Sequence, residues 1–204
     1  MAKFHIPLSG AQGGGKTSLL AELKLRGYHV DDFRVSRAVQ KQLGWESLDR
    51  VMDSPRTMME FQDEVFNQKY QNDHALHVQS NVYTLMERSF ADIAAYTMTW
   101  MWKFVDRGDI ELSEAIAWLK PYCKRCADAQ REVYDAVIIL PMMSHVIFEA
   151  DPHRAKKEDV EAVFENLERF MEQRDFISFP KLTITAKSIS ERADQVEAFL
   201  RGLK

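Results

Sequence analysis

Short apolar runs alternate with longer stretches that carry an apolar residue at every third or fourth position, and this alternation of two periods continues along the chain. The runs at residues 4–8, 28–30, 81–86, 136–140 and 182–186 predict five strands. Between them, Leu19, Leu20 and Leu23 mark a helix over 18–26, a second spans 35–43, and Ser54-Pro55 opens a long one reaching about Gln79. Met58, Phe61, Val65 and Phe66 give the long helix a buried face; Asn67, Gln68, Gln71, Asn72 and His74 make its second half polar, as at a cleft or in solvent. Ser89-x-x-Asp92 has capping-box spacing ahead of a helix over 93–104, and 112–129, interrupted by Pro121, reads as one or two helices. A stripe of Val160, Val163, Phe164, Leu167, Phe170 and Met171 predicts another, and Ser190 is placed to cap a closing helix bearing Val196, Phe199, Leu200 and Leu203. Strands interleaved with helices predict an α/β fold, a parallel doubly wound sheet in a three-layer sandwich. The run at 136–140 is apolar throughout, as a strand covered on both faces requires, while Pro7, lacking an N–H, predicts an interruption or bulge in the first strand.

The first strand runs directly into Gly10-Ala11-Gln12-Gly13-Gly14-Gly15-Lys16-Thr17, the spacing of a phosphate loop, and the loop opens a helix. Its glycines let backbone N–H groups turn inward, and the helix N-terminus adds partial positive charge. Gly10, Gln12, Gly13, Gly14, Gly15 and Ser18 are therefore the expected phosphate cradle. Lys16 is placed to reach β- and γ-phosphates and the Thr17 hydroxyl to coordinate Mg²⁺. Such a loop needs an acid at the end of a neighbouring strand to hold the metal or its water. The strand at 81–86 ends at once in Glu87-Arg88-Ser89, whereas 136–140 ends in Pro141 and 182–186 in Lys187, so Glu87 is the second metal residue.

Asp31, Asp32, Arg34 and Arg37 follow the second strand, where ligands bind in open α/β sheets. Asp31 or Asp32 suits proton abstraction from a hydroxyl or a bond to a sugar, and Arg34 or Arg37 suits an anionic acceptor; a solvated, self-paired loop would carry the same residues. Gln62, beside Phe61, is a candidate partner for a base or sugar. His74 and His77 have ligand spacing without a third ligand and read as surface residues. Cys123 and Cys126 form a C-x-x-C whose basic neighbours Lys124 and Arg125 would lower a thiol pKa; with no second pair for zinc, two reduced cysteines are the expectation.

The 204 residues predict a single domain over 1–204, or one with an inserted lid, and a net charge of −4 argues against a nucleic-acid surface. No run of 18 apolar residues and no signal-peptide core after Met1-Ala2-Lys3-Phe4 point to a soluble cytoplasmic protein without a membrane segment, in the host cytoplasm if viral. Trp100-Met101-Trp102 is either a core stripe or a contact surface, and a homodimer stays open.

Glu87-Arg88-Ser89 at a strand end, followed by Asp92 and Ala95-Tyr96-Thr97, resembles the acid-Arg-hydroxyl motif of the thymidylate-kinase-like and deoxynucleoside-kinase group. It is especially similar to the P-loop kinase branch that includes nicotinamide riboside kinase domains and many phage-encoded nucleotide kinases. The resemblance implies strand order 2-3-1-4-5, ATP and Mg²⁺ as cofactors, a metal role for Glu87 and an acceptor contact for Arg88. It matches Asp32 and Arg37 to an acid and an Arg after the second strand, with Asp32 as catalytic base, and Phe61-Gln62 to a Phe-Gln on the long helix. Asp151 and Arg154 match a lid, about residues 142–158, whose arginine stabilises the transferring phosphoryl group, with Lys156 and Lys157 solvated. Ala186, Lys187 and Ser188 match the segment bordering adenine, with contacts through backbone. The implied activity is phosphoryl transfer to a nucleotide. Three arginines, Arg34, Arg37 and Arg88, favour a deoxynucleoside monophosphate over the alternatives, a nucleoside or nicotinamide riboside. A regulatory ATP-binding module is the alternative of another class.

Overall fold

The computed structural model describes residues 3–76, 82–142, 157–174 and 176–203. Its five strands are β1 (Phe4–Ser9), β2 (His29–Asp31), β3 (Tyr83–Glu87), β4 (Val137–Ile139) and β5 (Lys181–Thr183). They pair in parallel throughout, in the order β2-β3-β1-β4-β5. Around them run α1 (Lys16–Leu25), α2 (Val35–Gln42), α3 (Pro55–Leu76), α4 (Phe90–Arg107), α5 (Leu112–Val133), α6 (Lys157–Glu172) and α7 (Ile189–Gly202).

Strand side chains alternate between two cores, which is what a sheet covered on both faces demands. Leu85 and Ile138 pack with Leu19, Leu23 and Val196 under α1 and α7. Their neighbours Met86, Val137 and Ile139 join Phe61, Phe90, Phe104 and Leu167 under α3 to α6. Glu87 is itself the last residue of β3, one position beyond the predicted end, and the β1–β3 register sets Leu8 opposite it.

Pro7 neither interrupts nor bulges β1: the register with β3 runs through it, Pro7 opposite Met86. The backbone of His5 and Ser9 bonds toward the β4 side, to Asp135 and Leu140, so the donor that Pro7 lacks falls on that side, where strand pairing begins only at Leu8. Likewise α5 continues through Pro121, because both Pro121 and Ala117, whose carbonyl the missing N–H would have met, are exposed to water. β5 stops at Thr183, short of the predicted 186, since the amides of Thr185 and Ala186 bond the Gln195 side chain on α7 instead of extending a ladder. Ser188, not Ser190, caps α7, in a reciprocal box with Glu191.

The polar half of α3 holds a further departure. Lys69 and Asp73 are 3% and 0% exposed and form an ion pair of 2.8 Å, with the Tyr134 hydroxyl donating to the same carboxylate oxygen at 2.5 Å. Asn67, Gln71 and His74 face solvent as their spacing predicts, and the buried pair lies on the opposite side of the same turns. Removing one member strands the other charge, so Asp73→Ala is expected to lower the free energy of urea unfolding by about 3–5 kcal/mol. Lys69→Met/Asp73→Leu should recover at least half of that loss, and a double variant no better than the single one would refute the assignment.

Candidate active site

The phosphate loop leaves β1 at Gly10, whose φ of 152° and tight surroundings both require glycine: a Cβ there would stand 2.6 Å from the Leu140 carbonyl oxygen. Gly15, at φ 85°, is the left-handed N-cap of α1, so the loop turns into the helix without a side-chain cap. Lys16 is 4% exposed and donates to the carbonyls of Gly10 at 2.6 Å and Ala11 at 2.8 Å. Burial, seconded by Arg88, lowers its pKa to about 8, against the opposite pull of Asp92 and Glu87.

Because β3 lies beside β1, Glu87 reaches the start of α1, and its Oε2 accepts from the Thr17 hydroxyl at 3.4 Å. A hydroxyl and a carboxylate at this separation fit two adjacent corners of an octahedral Mg²⁺, about 3 Å apart for bonds of about 2.1 Å, with phosphate oxygens and waters to complete it. The two residues assigned to the metal from sequence are therefore neighbours.

Arg88 breaks the chain out of β3 with φ 66°, the sole positive φ among the described non-glycine residues, a conformation costing about 1–3 kcal/mol. Its N–H stays on the Leu8 carbonyl while its guanidinium lies 4.5 Å from the centre of the Tyr96 ring. Burial alone would depress the Arg88 pKa; Tyr96, Asp92 and Glu87 outweigh it and raise it, so the charge is retained. The Tyr96 hydroxyl is buried with no hydrogen-bond partner among the described residues. Here a strained backbone, a cation and an unused phenol meet.

Two side chains hold the loop from outside. Asp92, 1% exposed, accepts from the Gly10 N–H at 3.0 Å through Oδ1 and from the Ser89 N–H and hydroxyl through Oδ2, and Ser9 donates to Ser89 at 2.7 Å. The capping box of α4 is thus shared with the first amide of the phosphate loop. At the other end Arg192, 6% exposed, donates to the Gly14 carbonyl at 3.2 Å. Sequence reasoning saw Asp92 only as a cap and missed Arg192, for which the helical pattern of α7 carries no special signal.

The sequence matches the AAA domain family over residues 5–192. The chain belongs to this family. No curated protein matches the sequence. Among solved structures it is similar to deoxyadenosine kinase from M. mycoides with the products dCMP and a flexible dCDP bound, at 14% identity, a TM-score of 0.67, and coverage of 98% of this chain and 100% of that one. It is also similar to the same kinase with bound dATP, at 14% identity, a TM-score of 0.68, and coverage of 97% of this chain and 99% of that one. The likeness agrees with the sheet order: the fold is the α/β P-loop kinase fold.

In this AAA domain the acceptor residues named from sequence divide into two groups. Asp31, at the end of β2, accepts from Asn72 at 2.9 Å, whereas Asp32 turns to Lys24 at 2.5 Å, both partners more than half exposed. Arg34 is the N-cap residue of α2 and Arg37 bonds Gln40 at 2.9 Å; both are exposed. Gln62 is 2% exposed, next to Phe61, whose ring stacks on Trp45 with centroids 5.3 Å apart. In the segment expected beside adenine, Ala186 has its N–H taken by Gln195 and its carbonyl by Arg192, which leaves its backbone committed to α7, and Ser188 caps that helix. Asp151 and Arg154 lie outside the described residues, as does most of the segment read as a lid, and Lys157 opens α6.

His74 is exposed beside Tyr70, and His77 lies outside the described residues. Burial pushes the Cys123 thiol up to about 11 and Cys126 well above its ordinary value, at Cys126 against the pull of Arg125, so both are favoured as thiols and not thiolates at neutral pH. Met101 is fully buried between Trp100 and Trp102, which pack partly buried against the core. The larger of the cavities described, about 740 Å³, lies between α4, α5 and α6 against Met98, Trp102 and Phe176 and includes none of the phosphate-loop residues.

Lys16 gives the site a pH signature. Below about 8 the free lysine is already charged, so binding of a nucleoside triphosphate should be flat with pH; above it, binding must take up a proton that the phosphates then hold. Affinity measured by calorimetry is expected to fall about tenfold per pH unit above that point. Lys16→Arg should remove the slope, and a slope that persists in this variant would assign the proton to another group.

Proposed function

We propose that this AAA domain is an ATP- and Mg²⁺-dependent kinase of the cytoplasm that transfers the γ-phosphoryl group to a deoxynucleoside monophosphate. The observation that carries the reading is the meeting of Thr17 and Glu87 at the mouth of a phosphate loop whose lysine is buried. In the transfer, an oxygen of the acceptor phosphate forms the new P–O bond while the bond between the γ-phosphorus and the β-bridging oxygen breaks, and ADP leaves. Lys16 gives up the Gly10 and Ala11 carbonyls for phosphate oxygens, and the loop amides take the rest of the developing charge. When bound at Thr17 and Glu87, Mg²⁺ supplies charge neutralisation on the phosphate oxygens. Arg88, fixed over Tyr96, orients the acceptor, with the Tyr96 hydroxyl available to it as a hydrogen-bond partner. Arg154 is proposed as the lid arginine.

A monophosphate oxygen is already ionised at neutral pH, so this acceptor needs cations and no strong base, which suits Arg34, Arg37 and Arg88. A nucleoside acceptor is the second reading, favoured by Asp31 at the end of β2 and by the likeness to deoxyadenosine kinase. It shifts the candidate base from Asp32, paired with Lys24, to Asp31.

ADP release measured with ATP, Mg²⁺ and a panel of nucleosides, monophosphates and nicotinamide riboside tests the proposal, with products identified by mass. A monophosphate is expected to stimulate release and gain one phosphate, and Lys16→Ala should cut turnover by about 100-fold or more. Asp32→Asn should leave turnover within about twofold, while Asp31→Asn should cost about 100-fold only if the acceptor is a hydroxyl. ADP release that no acceptor stimulates would replace the kinase with a regulatory ATPase module.

A further inference from the structure

Arg192 sits in the first turn of α7 and joins two segments that lie far apart in the chain. Its Nη1 donates to the Gly14 carbonyl at 3.2 Å and its Nε to the Ala186 carbonyl at 3.1 Å. The fit leaves no slack: a Cβ on Gly15 would stand 2.8 Å from Nη1. In a trans peptide the carbonyl and the N–H of one unit point in opposite directions. A Gly14 carbonyl held outward by the guanidinium therefore holds the Gly15 N–H inward, toward the phosphates that the loop is shaped to surround.

The second bond reaches the segment after β5. Gln195, on the next turn of α7, accepts from the N–H groups of Thr185 and Ala186 at 3.1 and 3.2 Å and donates to the Thr185 hydroxyl at 2.7 Å. With Ser188 and Glu191 closing the capping box, residues 185–188 are tied to α7, and the Arg192 guanidinium ties them in turn to the phosphate loop.

We infer that Arg192 is a positioning residue that orients the Gly15 amide toward the triphosphate and couples it to the 185–188 segment, so that the nucleobase is sensed by the phosphate loop. The inference rests on the proposed ATP site, with residues 186–188 taken as the segment beside its base. Lysine cannot replace it, since one ammonium lacks the planar fork that spans two carbonyls.

The experiment measures dissociation constants of the wild-type chain for ATP, GTP and inorganic tripolyphosphate by calorimetry, then those of Arg192→Met, Arg192→Lys and Gln195→Leu. Loss of a hydrogen bond from a charged donor predicts that Arg192→Met weakens ATP by about tenfold or more. It should weaken tripolyphosphate less and bring the ATP-to-GTP preference toward unity. Arg192→Lys should behave like Arg192→Met. Gln195→Leu, which leaves the Gly14 bond in place, should reduce the base preference without altering tripolyphosphate affinity. Equal weakening of ATP and tripolyphosphate with an unchanged base preference overturns the coupling. Wild-type protein that binds no triphosphate overturns the ATP site itself.

Discussion

A loop whose amides point inward at an anion has nothing of its own to hold it in that shape. Backbone N–H groups that converge repel one another, and ordering the chain costs about 1–2 kcal/mol per residue. Here the constraint is met from outside. Asp92 bonds the first amide, the Leu140 carbonyl presses so close to Gly10 that no side chain fits, and Arg192 takes the carbonyl of Gly14. Lys16 bonds the carbonyls of Gly10 and Ala11 from within. Three elements distant in sequence, α4, the end of β4 and α7, therefore converge on one loop, and the parallel sheet is what brings their ends together.

The same convergence sets the electrostatics. Lys16 and Arg88 are balanced by Asp92 and Glu87, and the lysine feels all three of the others. Burial first and Arg88 second push its proton off while the two carboxylates hold it on, and the balance lowers the lysine pKa to about 8. The strain at Arg88 lies at the same junction: its left-handed turn comes between β3 and the Ser89 cap of α4, with its amide on Leu8 and Asp92 reaching Gly10.

The five strands, their interleaving helices and the phosphate loop were legible because each rests on local pattern: an apolar run, a helical stripe, glycines at fixed spacing. The place of Glu87 beside Thr17 was legible for the same reason, as an acid at a strand's end. What the sequence withheld were the partners that side chains find across the fold. Asp31 and Asp32 are adjacent and chemically alike, yet one faces Asn72 and the other Lys24. Pro7 and Pro121 break helices and strands by propensity, but each sits where its missing donor goes unneeded, which depends on a neighbouring strand in one case and on water in the other. Arg192 is one of several charged residues on an amphipathic helix, and only its burial against the loop distinguishes it.

The buried pair on α3 belongs to this logic as well. For stability alone, apolar side chains of similar volume would serve as well as Lys69 and Asp73, since the cost of desolvating two charges roughly cancels their attraction. Apolar residues, however, would hold nothing. Asp73 accepts from Asn72, and Asn72 bridges to Asp31, so the carboxylate at the end of β2 is oriented by a chain of bonds that ends on a charge locked inside the protein. A single amide that must satisfy two carboxylates in fixed positions has little rotational freedom. The end of β2 is held by polar groups rooted in the core, as the phosphate loop is held by Asp92 and Arg192, and precision at both places comes from buried polarity and not from the apolar packing around it.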